Sequence, residues 1–390
     1  MRLVLIGPTY PFRGGISHYF TMLCNELRKS HQVDFFSYIR QYPRWLYPGQ
    51  TDLDPSAMPL QAAAYRTLDP LNPLTWIQTL HRIRSAPFDG IIFPWVQAYW
   101  APMFGFLAFW IRRLTPTRVI FICFNPLPKA HERHLFDSSI AWLVLSQGDG
   151  FIVHAETDKV QLGHLVPGAR VLHVAQPIFN VFPSRLDSAT AKAQLGLKGP
   201  VALFFGFVRP YKGLGTLLQA MPLALERIPL HLLIVGEFWE EKAGYERMIA
   251  EHRLTEHVTV IGRYVPNEEL GLYFGAADVV VLPYESATQS GVVQTAYGYE
   301  KPVICTRVGG LPEVVFDGET GFLVPPGDAA ALADAMVRFF AENLGDTFAG
   351  HIRQLAPVAF GWEGLVRQIE ALIAGEKPGV SSQVMEHQAA

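Results

Sequence analysis

The sequence predicts an α/β protein of two doubly wound parallel-sheet domains. Three observations lead there. Short β-branched runs alternate with segments whose apolar positions have helical spacing. The alternation restarts midway along the chain, and 390 residues exceed what one core of ordinary size organises.

In the first half, Arg2–Ile6, Val33–Phe36, Gly90–Phe93, Val119–Phe124 and Phe151–Val153 read as strands. After the loop Ala175–Ser184 the pattern resumes with Val201–Phe205, Leu230–Val235, Val258–Ile261, Val279–Leu282, Val303–Cys305 and Phe322–Val324. Phe360–Ile373 has helical periodicity beyond the last strand and is expected to return to the first domain. The expected division is 1–180 plus 358–375 for the first domain, 181–357 for the second, and a polar, disordered tail over 376–390. No fixed short period is present, which excludes solenoids and propellers.

Hydrophobic residues at 49% and charged residues at 17% describe a globular chain. A net charge of −3 without a Lys/Arg block speaks against nucleic acid as a partner. Cys24, Cys123 and Cys305 form neither a CxxC pair nor a disulfide framework, so a reducing cytoplasm is expected and a structural zinc is not. The first apolar run is too brief for a signal-peptide core. The apolar region Trp100–Phe124 is broken by Pro102, Arg112-Arg113 and Pro116, so the protein reads as soluble or at most peripheral to a membrane. Asp52-Leu-Asp54 is the one Asp-x-Asp, in a Pro-rich stretch where both carboxylates are expected to face solvent; no metal is expected.

Ligands of open α/β sheets bind at the carboxyl ends of strands, where loops enter helices. Three loops of that kind carry candidate chemistry. Gly14-Gly15 stand at a helix start after the first strand, where bare amides can approach an anion or simply make a tight turn; the GxGxxG fingerprint is absent. Arg209 and Lys212 lie three apart in the loop after Val201–Phe205 and suit a diphosphate. The loop Pro283-Tyr-Glu285-Ser-Ala-Thr-Gln289-Ser290-Gly291 enters a helix over Val292–Tyr299, with Ser290 as its cap and another anion-binding N-terminus.

Arg209-Pro-Tyr-Lys212-Gly213, Ala277-Asp278-Val-Val-Val-Leu-Pro283, Lys301-Pro-Val-Ile-Cys-Thr306, Gly309-Gly-Leu-Pro-Glu313-Val and Gly318-Glu-Thr-Gly-Phe-Leu-Val-Pro325 follow in order. In that order and spacing the chain resembles the retaining glycosyltransferases of family 4. The resemblance spans nearly the whole second domain. In the first it rests on Gly14-Gly15, Asn125 and Phe151-Ile-Val-His-Ala-Glu156. It implies the GT-B fold, two Rossmann-like domains facing across a cleft, and a glycosyl transfer with retention from a nucleotide-diphosphate sugar to a glycan, glycolipid or other hydroxyl acceptor, without a metal.

By the same resemblance Arg209 and Lys212 grip the donor diphosphate, Gly14 and Gly15 close on it from the other domain, Tyr264 and Val265 receive the base, and Gln289, Ser290, Gly291 and Val292 bind phosphate or sugar. Departures are specific. The family's paired glutamates, eight apart, align with Ala287 and Thr295. Ribose is then left to Thr295 or Gln294, with Glu285 reaching in from upstream. The histidine common before Asn125 is Phe124, which leaves His131 or His154 as substitutes, and the arginine usual after Gly206 is Phe207.

Tyr38–Pro48 and Pro94–Pro102 are rich in aromatics, as surfaces that stack on sugars or sit at lipid headgroups are. Met103–Arg113 is apolar nearly all round and reads as a buried core helix, with peripheral membrane contact near a lipid-linked acceptor as the alternative. Two other functions remain open at this level: a non-catalytic GT-B protein that binds a nucleotide sugar or a partner, and a nucleotide-sugar epimerase.

Overall fold

The computed structural model describes residues 1–47, 49–127, 137–180, 182 and 185–376. It divides into two compact units. One holds Met1–Asp54, Pro59–Ala175 and the chain from Gly361 onward, and the other Pro55–Met58 and Gln176–Phe360.

The first unit contains strands β1 (Arg2–Ile6), β2 (Gln32–Tyr38), β3 (Tyr65–Leu68), β4 (Gly90–Trp95), β5 (Arg118–Cys123), β6 (Gly150–Val153) and β7 (Val171–His173). All pair in parallel, in the order β3-β2-β1-β4-β5-β6-β7. Its helices are α1 (Gly15–Leu27), α2 (Pro73–Arg84), α3 (Ala101–Leu114), α4 (Asp137–Leu145) and α5 (Glu156–Leu165). Parallel strands need crossovers, and helices on both faces explain why β4 is buried along its whole length and β1 and β5 along nearly all of theirs.

The second unit has β8 (Val201–Phe205), β9 (His231–Val235), β10 (Val258–Ile261), β11 (Val279–Leu282), β12 (Val303–Thr306) and β13 (Gly321–Val324), in the order β10-β9-β8-β11-β12-β13. Around it lie α6 (Ser188–Gln194), α7 (Leu214–Leu225), α8 (Lys242–Glu251), α9 (Leu270–Ala276), α10 (Gly291–Gly298), α11 (Ala329–Ala341) and α12 (Gly345–Ala359). Counted from its own first strand, this order repeats the 3-2-1-4-5-6 of the first unit. The direction of winding reverses between β8 and β11, which are hydrogen-bonded neighbours. That reversal places two strand-to-helix loops side by side.

The last helix, α13 (Trp362–Ala374), belongs to the first unit. Trp362 packs on Tyr19 of α1 with ring centroids 5.2 Å apart. Ile373 and Leu372 lie so near Gly90 and Gly150 that a Cβ there would meet them at 2.6 and 2.8 Å. The tail from residue 377 lies outside the described residues.

Two expectations change. Helix α3 is not buried all round: Met103, Phe104, Leu107, Ala108 and Ile111 face the sheet, whereas Trp110 is 39% exposed. One helix in a single layer over a sheet has only one side to cover. Asp54 is buried rather than solvent-facing; its carboxylate lies 3.7 Å from His18 and its amide donates to the Pro11 carbonyl.

Candidate functional site

The loop leaving β8 begins at Gly206, whose φ of 103° suits glycine. A Cβ on it would meet Lys212 Nζ at 3.1 Å and Val292 Cγ2 at 3.4 Å. The lysine ammonium and the first turn of α10 therefore converge over this glycine. The two loops are also joined directly: the Glu285 amide donates to the Tyr211 carbonyl at 2.8 Å, and Gly213, at φ 67°, approaches the Pro283 carbonyl so closely that a Cβ would sit 1.9 Å from it.

Beyond the strand ends, β8 and β9 continue as a short bridge between Val208 and Phe238, with the Val208 amide on the Glu237 carbonyl and the Trp239 amide on that of Val208. This pairing sets up a stack. Phe207 lies 4.3 Å from Trp239 and 6.0 Å from Tyr264, and the Arg209 guanidinium stands 4.1 Å from the Trp239 ring centroid. Lys212 Nζ stands 5.3 Å from the Tyr284 ring. Among the described residues Arg209 and Lys212 have these aromatic neighbours but no ion pair or hydrogen bond. Burial lowers the Lys212 pKa, and the nearby Arg209 charge lowers it further. Two cations without counter-ions, one of them desolvated, favour an anion between them.

Helix α10 adds partial positive charge. Ser290 caps it without a side-chain hydrogen bond and no acidic residue lies in its first turn; among the described residues the Gly291 and Val292 amides have no acceptor, while that of Val293 donates to the Ser290 carbonyl at 3.1 Å. Thr295 is 7% exposed and donates its hydroxyl to the Gly291 carbonyl at 2.9 Å. Gln294, beside it, is fully buried, and among the described residues both atoms of its amide lack a partner. Ala287 meets Gly309 (φ 51°), where a Cβ would fall 1.7 Å from the Ala287 carbonyl oxygen, and the Gly310 amide donates to Thr288. Val265 is buried, Tyr264 and Gln289 are half-buried, and Glu285 is exposed.

In the first unit, Gly14 (φ 103°) and Gly15 open α1 without a capping side chain, and a Cβ on either meets nothing within 4 Å. His154 is 1% exposed. Its Nδ1 donates to the Val174 carbonyl at 2.7 Å, which leaves Nε2 to accept from the Tyr19 hydroxyl at 3.0 Å. Burial takes its pKa down to about 4, so the ring is neutral and has no nitrogen left for a substrate. The catalytic role considered for His154 does not fit this geometry. His131 lies outside the described residues. The two aromatic stretches meet: Tyr42 lies 5.4 Å from Trp100, 5.7 Å from Tyr47 and 5.8 Å from Tyr99, and Arg13 Nε donates to the Tyr47 hydroxyl.

Among the described residues no group of three or more His, Cys, Asp or Glu could hold a metal ion, and no helix is long and apolar enough to cross a membrane. Sequence reasoning misses Trp239, although Gly236-Glu-Phe-Trp239 is also a strand-end loop.

Residues 199–342 match the family model described as glycosyl transferases group 1. Across 96% of the chain the backbone superposes on a sucrose-phosphate synthase from Thermosynechococcus elongatus, with a TM-score of 0.73 and 21% identity over 99% of that chain. A similar match, TM-score 0.71 and 16% identity over all of the other chain, is to Anabaena HepE in complex with UDP-glucose. The chain has the GT-B fold.

Its sequence relatives include glycosyltransferases. A D-inositol 3-phosphate glycosyltransferase of Corynebacterium efficiens is 27% identical over 258 residues, 62% of this chain and 58% of the relative. That of Streptomyces coelicolor is 33% identical over 248 residues, 56% and 50% of the two chains. The GT-B chain thus spans little more than half the length of these curated relatives.

Proposed function

We propose that this GT-B chain transfers a glycosyl group from a nucleotide-diphosphate sugar to a hydroxyl acceptor with retention of configuration. One observation carries the proposal: Lys212 and the start of α10 converge over Gly206, beside an Arg209 that has no carboxylate partner among the described residues.

The donor diphosphate would lie on Arg209, Lys212 and the Ser290–Val292 amides. As the bond from the anomeric carbon to the diphosphate oxygen breaks, negative charge grows where these fixed cations and dipoles already stand. The acceptor oxygen then bonds to the anomeric carbon on the face the diphosphate leaves, and the acceptor proton passes to a leaving phosphate oxygen. Stabilisation of this kind needs no divalent ion. Gln294, whose amide lacks partners in the ligand-free protein, would hold a donor hydroxyl in place of the family's second glutamate. Tyr264 and Val265 remain the candidates for the base, Gln289 and Thr295 for further donor contacts, and Glu285 for a carboxylate near the sugar.

On the acceptor side, the half-buried Tyr42, Tyr47 and Tyr99, backed by the buried Trp100, offer ring faces for a polyhydroxylated ring. Three buried free cysteines suit a reducing compartment, and a cytoplasmic site of action is part of this reading.

The test is donor binding and transfer. Thermal stabilisation by a panel of nucleotide sugars, beginning with UDP-glucose because a solved neighbour holds it, identifies the donor. Arg209→Ala and Lys212→Ala should each weaken that donor at least about tenfold, as loss of a charge-assisted contact does. Unchanged binding in both variants would refute the proposal.

A further inference from the structure

Eighteen large hydrophobic residues are exposed on the described chain, and eight of them lie on or beside α2, α3 and α4. They include Leu74 (66%), Leu143 (61%), Ile77 (52%) and Trp142 (50%). The three helices form one layer, with α3 in contact with both neighbours. Leu74, Ile77, His81 and Arg84 fall at helical spacing along the solvent side of α2, opposite the buried Trp76, Leu80 and Ile83. On α3 the exposed Trp110 stands beside Phe109, whose ring is covered by the Arg113 guanidinium at 3.5 Å. An apolar surface spread over adjacent helices is a docking surface rather than scattered exposure.

Charge decides what it docks on. The three helices carry Arg82, Arg84, Arg112 and Arg113, all exposed; their one carboxylate, Asp137, is buried, and among the described residues Arg112 alone of the four pairs with a nearby carboxylate, Asp149, at 3.8 Å. The chain as a whole has a net charge of −3, so this face is basic on an acidic protein. Arginines at the last turns of α2 and α3 flank the apolar residues as cationic side chains do where helices lie in a bilayer interface, with guanidiniums at headgroup level and rings among the acyl chains.

We propose that the outer face of α2, α3 and α4 seats the protein on the surface of an anionic lipid bilayer. This goes beyond the proposed transfer reaction and does not depend on it. A second copy of the chain would bring Arg82, Arg84 and Arg113 against the same three across a twofold contact, which disfavours that occupant.

The test is flotation of the full chain with phosphatidylcholine vesicles, with and without phosphatidylglycerol. The protein should float only when phosphatidylglycerol is present, and less so as salt is added. Arg84→Gln and Arg113→Gln should each lower partitioning roughly fivefold. Leu74→Glu with Leu143→Glu should abolish it while circular dichroism and the melting temperature stay unchanged, since both side chains are exposed. Failure of the wild type to float, equal flotation on neutral vesicles, or normal flotation of the double variant would each overturn the proposal. So would a dimer, seen by light scattering, that the double variant dissolves.

Discussion

The guanidinium of Arg209 rests 4.1 Å from the centre of the Trp239 ring, and Trp239 in turn lies against Phe207. Phe207, which follows Gly206, helps to build the platform beneath the arginine two residues on. A cation held over an aromatic face is oriented without being neutralised, so its charge remains available to a phosphate.

Trp239→Leu should therefore weaken donor binding by about two- to thirtyfold, the range that about 0.5–2 kcal/mol of lost cation–π contact covers. Titration of donor into the variant and into Arg209→Ala reads the effect. The double variant should lose little more than Arg209→Ala alone, because the tryptophan acts through the arginine.

Gly213→Ala places a methyl group 1.9 Å from the Pro283 carbonyl at a residue whose φ is 67°. The loops after β8 and β11 must part, at a cost of about 1–3 kcal/mol. Both the melting temperature and donor affinity should fall. Gly244→Ala, whose Cβ meets nothing within 4 Å in the first turn of α8, should leave both unchanged or slightly raised.

Lys212 has its pKa lowered from 10.5 by burial. The protonated form binds the diphosphate, so donor affinity should decline as pH rises through that lowered pKa, earlier than an ordinary lysine would allow. Lys212→Arg, whose charge does not titrate in this range, should flatten the profile even if its affinity is lower. Dissociation constants measured through the alkaline range give the answer.

His154 behaves oppositely to a surface histidine. Its folded pKa of about 4 lies below the unfolded value of about 6.5, so the unfolded chain takes up the proton first. Its contribution to stability is full above pH 6.5 and drains away as pH falls towards 4, by about 3 kcal/mol. Thermal unfolding between pH 7 and 4 should show that loss, and His154→Gln should remove this component.

Much of the fold was legible because buried parallel strands are dense apolar runs. β1, β8, β10 and β11 have the ends that their sequences predict. β3 and β7 escaped notice for the same reason in reverse. They are the two edges of their sheet; Tyr65 and Arg66 are exposed, and β7 is three residues long with no fully buried position. Arg209, Lys212 and Ser290 could be singled out because strand-end loops and helix starts announce themselves in sequence. The platform under Arg209 could not, because Trp239 reaches it through pairing between Val208 and Phe238, beyond the ends of both strands. His154 misled because a histidine at a strand end has the same letter whether it meets solvent or, as here, Tyr19 and a carbonyl.

The central claim is that fixed cations and helix amides neutralise the diphosphate, and calorimetric titration of the donor's nucleoside diphosphate in the presence of EDTA tests it most directly. Binding that survives chelation and weakens by at least about tenfold in both Arg209→Ala and Lys212→Ala is the predicted result. Binding that needs added magnesium or manganese, or that both variants retain in full, would contradict it.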